Sequence, residues 1–349
     1  MSKIYVLISD NPSTILKDML ESTIKDNDVV YIKSEKELIN LQNKRILFVA
    51  ETDESGYSIG MNKIFNKLFS IGKDSLKGSI GSVLVHSEGE LYTKTMAQHI
   101  IFNANQLGCR FPGRPLVEAT GSLNNMKTMK KVINKSLKDV CLICCEKLGK
   151  TLVTDNPQLI KKPKILALHS SNYSTSNTLR LWAMVKQHLK DADVKEIHIE
   201  NGTVRDCIGC PYKTCKHYGE QTSCFYGGIM VEEIYPAIIE ADVIVWICPN
   251  YNDAISANIS AVINRLTALF RKTKFYDKSI FGIIVSGNSG SDALAKQLIS
   301  SLNINKTFRL PPYFSIMATA NDKDAILKVP DIEKKAHNFA KNILEESKK

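Results

Sequence analysis

No apolar run in this 349-residue chain approaches the ~18 residues that a membrane-spanning helix needs, and the opening Met-Ser-Lys-Ile-Tyr-Val-Leu-Ile-Ser-Asp lacks the extended apolar core of a secretory signal. The expectation is a soluble, cytoplasmic protein without a membrane partner. Arginine-rich helices, basic runs and recognisable nucleic-acid modules are missing too. The formal charge of +10 is carried mainly by lysines interspersed with acidic residues, which describes a solvated surface and excludes nucleic acid as the expected partner. No Ser-His-Asp or paired-carboxylate constellation stands out to suggest side-chain acid–base catalysis. Nine cysteines in an intracellular chain do not make a disulfide framework, so any close grouping of them points to a metal or to redox chemistry.

What is present is an alternation of strand-length apolar runs with helical patterns. Residues 4–8, 29–32, 45–50, 82–86 and 115–119 predict strands; 15–24, 62–69, 91–107 and a final run from Asn125 predict helices. That rhythm belongs to a doubly wound parallel sheet. After the polar joint Lys161-Lys162-Pro163-Lys164 it begins again, with strands predicted from Ile165 and at 194–200, 243–248, 281–286 and 314–318. The fold class expected is α/β, with one domain over 1–160 and a second over 163–349.

The halves also align residue by residue. Lys3-Ile4 matches Lys164-Ile165, and Ser9-Asp10-Asn11-Pro12-Ser13-Thr14 matches Ser170-Ser171-Asn172-Tyr173-Ser174-Thr175, at an offset of 161. Further on, Asn66-Lys67-Leu68 answers Asn264-Arg265-Leu266, Val83-Leu84-Val85 answers Ile283-Ile284-Val285, and Ala119-Thr120 answers Ala318-Thr319, at offsets of 198 to 200. Internal duplication is the expectation. The second half has two additions, the triplet Ser176-Asn177-Thr178 and a segment of about 203–229, and the first half is expected to hold no cofactor.

The stretch 164–189 is the centre of the second half. A short apolar strand runs into Ser170-Ser171-Asn172-Tyr173-Ser174-Thr175-Ser176-Asn177-Thr178, and a helical pattern with Leu179, Trp182, Val185 and Leu189 on one side follows. Free N–H groups and the helix dipole favour an anion at such a turn. The turn has neither the G-x-G-x-x-G of a dinucleotide site nor the Gly-Lys-Ser/Thr of a nucleoside triphosphate site, so a compact monophosphate such as that of FMN fits best. The competing reading is that these are cap and Asx-turn residues alone.

The inserted segment carries Cys207, Cys210, Cys215 and Cys224, a C-x2-C-x4-C-x8-C spacing. Four thiolates so close suit a [4Fe–4S] cluster or a structural zinc; a zinc ribbon would show a second C-x2-C knuckle, which is lacking here, and a lid loop with free thiols stays open. Cys141, Cys144 and Cys145 lie at helical spacing and predict core residues, as do Cys109 and Cys248. After the strand at 243–248 comes Pro249-Asn250-Tyr251-Asn252, leading to Ile255-Ser256-Ala257, and after that at 281–286 comes Gly287-Asn288-Ser289-Gly290. Such loops, past the carboxyl ends of strands, are where open parallel sheets bind ligands.

Taken together, the turn 170–178, Cys207-Ile208-Gly209-Cys210, Pro249-Asn250-Tyr251 with Ile255-Ser256-Ala257, and Ser286-Gly287-Asn288 make the second half resemble the flavodoxin-fold NAD(P)H-dependent FMN reductases, and its cysteine segment resembles that of the iron–sulfur flavoproteins. The resemblance implies two flavodoxin-like domains, the first a degenerate copy. It implies one FMN, its phosphate held by Ser170, Ser171, Asn172, Ser174, Ser176, Asn177 and Thr178, its ring against Pro249, Asn250, Tyr251 and Asn252 and against Ser286, Gly287, Asn288 and Gly290. It also implies a [4Fe–4S] cluster on the four cysteines, NAD(P)H as a donor, a small-molecule or protein redox partner, and dimers or tetramers, with the halves packed as an internal pseudo-dimer. The sequence departs from the family in its wider third and fourth cysteine spacing, and in having Asn172 or Tyr173 where a basic residue is usual. The reading is an FMN-dependent oxidoreductase passing electrons between donor, flavin and cluster. Its rivals are a cluster-free FMN or quinone reductase and a non-enzymatic zinc-binding protein.

Overall fold

A computed structural model describes residues 3–8 and 11–347. Ser9 and Asp10, aligned above with Ser170 and Ser171, lie outside the described residues. The chain divides into two compact units, Met1–Asn156 and Pro157–Lys349.

In the first unit, β1 (Lys3–Ile8), β2 (Asp28–Ile32), β3 (Arg45–Thr52), β4 (Ile80–Ser87) and β5 (Leu116–Ala119) form one sheet in the order β2-β1-β3-β4-β5, with all pairs parallel. The central strands are apolar almost throughout and buried on both faces, because helices cover both sides. Those helices are α1 (Thr14–Ile24), α2 (Ile59–Ile71), α3 (Thr93–Gln106), α4 (Lys127–Ile133) and α5 (Leu137–Thr154). The single helix expected from Asn125 is instead two. Asn134 takes a left-handed conformation that ends α4, and Ser136 caps a new helix by accepting from the Asp139 amide. On α5, Cys141 and Cys145 are core residues as expected, while Cys144 is only half-buried.

The second unit repeats the plan with β6 (Lys164–His169), β7 (Asp193–His198), β8 (Val243–Pro249), β9 (Ser279–Ser286) and β10 (Ser315–Thr319), again all parallel, in the order β10-β9-β8-β6-β7. Counted from its own first strand, each sheet runs 2-1-3-4-5, the flavodoxin-like order. Around the second sheet lie α6 (Asn177–Lys186), α7 (Tyr212–Glu220), α8 (Tyr235–Glu240), α9 (Ala257–Lys272), α10 (Ser291–Leu298) and α11 (Ile332–Glu345). Trp182 of α6, Phe281 of β9 and Phe339 of α11 anchor the core on one face. No described helix is long and apolar enough to cross a membrane.

The likeness of the units extends to strand register. Ile4 pairs with Arg45 and Ile165 with Val243; Arg45 in turn pairs with Ile80, and Val243 with Ser279. Isolated bridges Ile80–Arg110 and Ser279–Arg309 also correspond. Carried to the carboxyl edge, this register sets Pro249 at the place of Glu51 and Val285 at the place of His86.

Candidate functional site

In the second sheet the chain runs outward from β6 to β7 and then returns to the other side of β6 as β8. The carboxyl edge between β6 and β8 is therefore the switch point of this sheet, the place where open parallel sheets bind ligands. The turn after β6 and the loop after β8 meet there, Ser170 Oγ lying 2.7 Å from Ser256 Oγ.

Within the turn, the Asn172 side chain accepts from the Ser174 amide at 2.8 Å and from its hydroxyl at 2.7 Å, an Asx turn that leaves 172–175 on the surface. Ser176 is the N-cap of α6, its hydroxyl accepting from the Leu179 amide. Ser13 caps α1 in the same way, accepting from Leu16. The structural partner of Ser13 is thus Ser176, and the extra length of the second turn precedes the helix rather than following its start. Thr178 is buried, and so is Asn177, whose amide donates to Ala320 O at 3.2 Å and Asp322 O at 2.8 Å while its carbonyl accepts from the Ile326 amide. The Asn177 side chain thus fastens α6 to the loop after β10. Ser171 is fully buried and its hydroxyl has no protein partner; the same holds for Nδ1 of His169.

After β8, Tyr251 and Ala254 exchange backbone hydrogen bonds around Asn252 and Asp253, both left-handed. That is a two-residue turn of the kind Asn and Asp favour, and it presents Tyr251 to solvent. Asn250 ties this loop to the one after β9. Its amide nitrogen donates to Ser286 Oγ at 3.0 Å, Ser289 O at 2.9 Å and Asp253 Oδ1 at 3.1 Å, while its Oδ1 is buried without a partner. Gly290 sits at φ +88°, where an added Cβ would fall 2.1 Å from Asp253 Oδ1, so only glycine lets the loops close. Gly287 and Asn288 remain exposed between them.

Sequence reasoning missed the group behind the turn. His169 and His198, paired in register across β6 and β7, stack with ring centroids 4.7 Å apart, and the Tyr173 ring stands edge-on to both. Tyr173 OH lies 3.2 Å and Glu196 Oε1 3.4 Å from His169 Nε2, while Glu196 Oε2 accepts from Trp182 Nε1 at 2.9 Å and Lys186 Nζ at 3.0 Å. His169 foremost, then Trp182 and Lys186, hold the Glu196 carboxyl down at about 2 against the effect of its burial. Burial, with His169 beside it, lowers His198. Alternation along β7 puts Glu196 and His198 on one face, the only sequence signal available for this cluster.

The four cysteines of the insert line one cavity of about 170 Å³ together with Arg265 and Arg271 of α9. Cys215 rides on α7, an unforeseen helix that lies so close to α9 that a Cβ on Gly219 would fall 2.3 Å from Ala268 O. Burial, with Cys224 and Cys215 nearby, pushes the Tyr235 phenol up. Among the described residues, however, no three His, Cys, Asp or Glu side chains stand close enough to hold a metal ion. The expected ligand set is gathered in one place but not assembled.

Three comparisons bear on this arrangement. No curated protein matches the sequence. Similar solved structures include RosB with the bound intermediate 8-demethyl-8-formylriboflavin-5'-phosphate, at 13% identity and TM-score 0.41 over 53% of this chain and 79% of that one. They also include the NAD(P)H:quinone oxidoreductase from Methanothermobacter marburgensis, at 14% identity and TM-score 0.39 over 52% and 94%, and a flavodoxin, WrbA-like protein from Agrobacterium tumefaciens, at 14% and 0.34 over 53% and 99%. Residues 163–322 match the family model for NADPH-dependent FMN reductase, which identifies the second unit as the carrier of a flavin-dependent oxidoreductase domain.

Proposed function

We propose that the second unit binds one FMN at the carboxyl edge between β6 and β8, with the phosphate on the turn 170–178 and the ring between the loops 249–252 and 287–290, and that NAD(P)H reduces it for onward transfer to a small-molecule or protein acceptor. The observation that carries this reading is a set of polar atoms the protein leaves unpaired on this one edge: Ser171 Oγ, His169 Nδ1 and Asn250 Oδ1, all buried without a protein partner. Buried polar groups are ordinarily satisfied, so exceptions at the carboxyl edge of this sheet support a ligand site there. Ser171 Oγ can donate to a phosphate oxygen, and Asn250 Oδ1 can accept from the polar rim of a flat heterocycle.

FMN, when bound, supplies the hydride and single-electron chemistry. The protein's share is placement. Ser176 fixes the start of α6 and with it the amides that face an anion. Asn250 holds the two ring-side loops in one geometry, and Gly290 permits their approach. Exposed Tyr251 is a flat surface at that edge. His169 and Glu196 lock each other and Tyr173 behind the turn, which leaves them a positioning role.

A second reading rests on one observation, the cavity shared by Cys207, Cys210, Cys215 and Cys224. In it, the cysteine loop closes on a [4Fe–4S] cluster or a zinc ion. The thiols as placed are not a ligand set, and no electron step is assigned to them. Anaerobic purification with flavin, iron, sulfide and zinc assays on one sample separates the readings. Flavin without iron or zinc is expected from the first, and iron with sulfide in equal amounts, or zinc, from the second. Ser176→Ala combined with Thr178→Ala is expected to cut FMN retention at least tenfold; a chain that keeps full flavin after that change refutes the phosphate assignment.

A further inference from the structure

The apolar stripe of α11, with Ile332, Ala336, Phe339, Ala340 and Ile343, joins Trp182, Val185 and Leu189 in one core. The positions beside that stripe are polar. Glu333 and His337 stand four residues apart, so they share one face of α11 at the border of the core. His188 comes to meet them from the turn that ends α6, where its amide donates to Val185 O at 3.1 Å and buried Leu189 anchors the chain. Together they help to line an open hollow of about 580 Å³, with Gln187, Lys190 and Lys334.

The two imidazoles are held close but are poorly placed to bond to each other. Their rings stand at 89° with centroids 4.7 Å apart, and Nδ1 of His337 lies 3.4 Å from Nδ1 of His188. That separation exceeds the ~2.7–3.2 Å of good N–H hydrogen bonds, and a bond between them would also need opposite tautomers. Among the described residues neither ring nitrogen pair has another hydrogen-bond partner. The distance is the one a bridging cation would set. Two zinc–nitrogen bonds of about 2.0–2.1 Å at the tetrahedral angle hold their nitrogens about 3.3–3.4 Å apart. Imidazole is also a ligand type that zinc and its neighbours in the first transition row accept.

We propose that His188 and His337, joined by Glu333, form a site for a borderline divalent cation of the zinc class, which ties the end of α6 to α11. As the side chains stand, no third His, Cys, Asp or Glu among the described residues is within bonding reach. Glu333 lines the same hollow on an exposed side chain free to rotate, and water completes the shell. Lys190 and Lys334 oppose a cation there, so the affinity expected is roughly micromolar, far weaker than that of a closed four-ligand site. The site shares no residue with the cysteine cavity or with the turn 170–178, and it acts on helix packing, since α6 starts at that turn and ends here.

The test titrates cobalt(II), which takes zinc's ligands and reports them by colour, into the chelator-treated full chain with flavin bound. Wild type is expected to take one equivalent with tetrahedral d–d absorption and no sulfur-to-cobalt charge transfer. Cobalt held by the cysteine segment carries that charge-transfer band and is counted apart. Zinc at a hundredfold excess over its dissociation constant is expected to displace the cobalt and to raise the unfolding transition of the second unit by several degrees. His337→Gln and, separately, His188→Gln should each lose this equivalent and its share of the rise; His337 is exposed, so its variant is expected to keep the metal-free transition. Glu333→Gln should keep the equivalent at several-fold weaker affinity. Cobalt uptake seen only with the thiolate band, uptake or a zinc-dependent rise undiminished in either histidine variant, or an affinity unchanged by Glu333→Gln overturns the proposal. Flavin content of the same samples reports separately on the FMN assignment.

Discussion

Asn250 spends its amide nitrogen on three acceptors in two loops, and that single group sets the distance between the loop after β8 and the loop after β9. Replacement by alanine leaves Ser286 Oγ, Ser289 O and Asp253 Oδ1 to find water, and the turn at Asn252 and Asp253 loses its tether. With two N–H groups to lose at a net contribution of about 1 kcal/mol each, the expected loss for Asn250→Ala is roughly thirtyfold in FMN affinity, read from flavin fluorescence quenching on titration. An unchanged dissociation constant would mean that these loops do not hold the ring. That Pro-Asn-Tyr-Asn forms a loop after an apolar strand was legible in the chain. Which atoms Asn250 meets was not, because Ser286 and Ser289 lie 36 and 39 residues away. Asn177 shows the same limit: its place in the turn is a matter of sequence, but its amide is used on the loop after β10.

At the scale of elements, helices pack where small residues let backbones approach. α5 meets α1 through Gly149, where an added Cβ would fall 1.8 Å from the carbonyl oxygen of Thr23. Backbone cannot step aside as a flexible side chain can. Gly149→Ala is expected to destabilise the first unit by about 1–3 kcal/mol, measured as a lower first transition in thermal unfolding, with flavin content unchanged. A wild-type transition temperature would show that the helices separate at little cost. The sequence predicts helix at these residues from apolar periodicity, and it places Cys141 and Cys145 in the core from the same pattern. It does not predict the break between α4 and α5, where the left-handed Asn134 interrupts a pattern otherwise fit for one helix, nor α7 within the cysteine segment, whose stability comes from contact with α9.

Over the whole molecule, two units share a sheet order and a register, and only the second carries the match to the family model for NADPH-dependent FMN reductase. FMN is therefore expected to bind at one equivalent per chain. At a hundredfold excess over its dissociation constant it should stabilise the unit that holds it by ~2.7 kcal/mol, raising one of two thermal transitions by several degrees and leaving the other in place. Two flavins per chain, or both transitions moving together, would contradict this assignment of the units. The order of apolar runs and turn residues determined by itself that the chain makes two doubly wound parallel sheets and that the hydroxyl-rich turn lies at a helix start, because both follow from local periodicity and capping. Only the tertiary structure decided that Glu51 meets Ser13 at the start of α1, that His169 and His198 stack, and that four cysteines share a cavity without, among the described residues, forming a ligand set. These depend on strand register and helix packing, which bring together residues tens of positions apart, and such pairings leave no periodic trace in the chain.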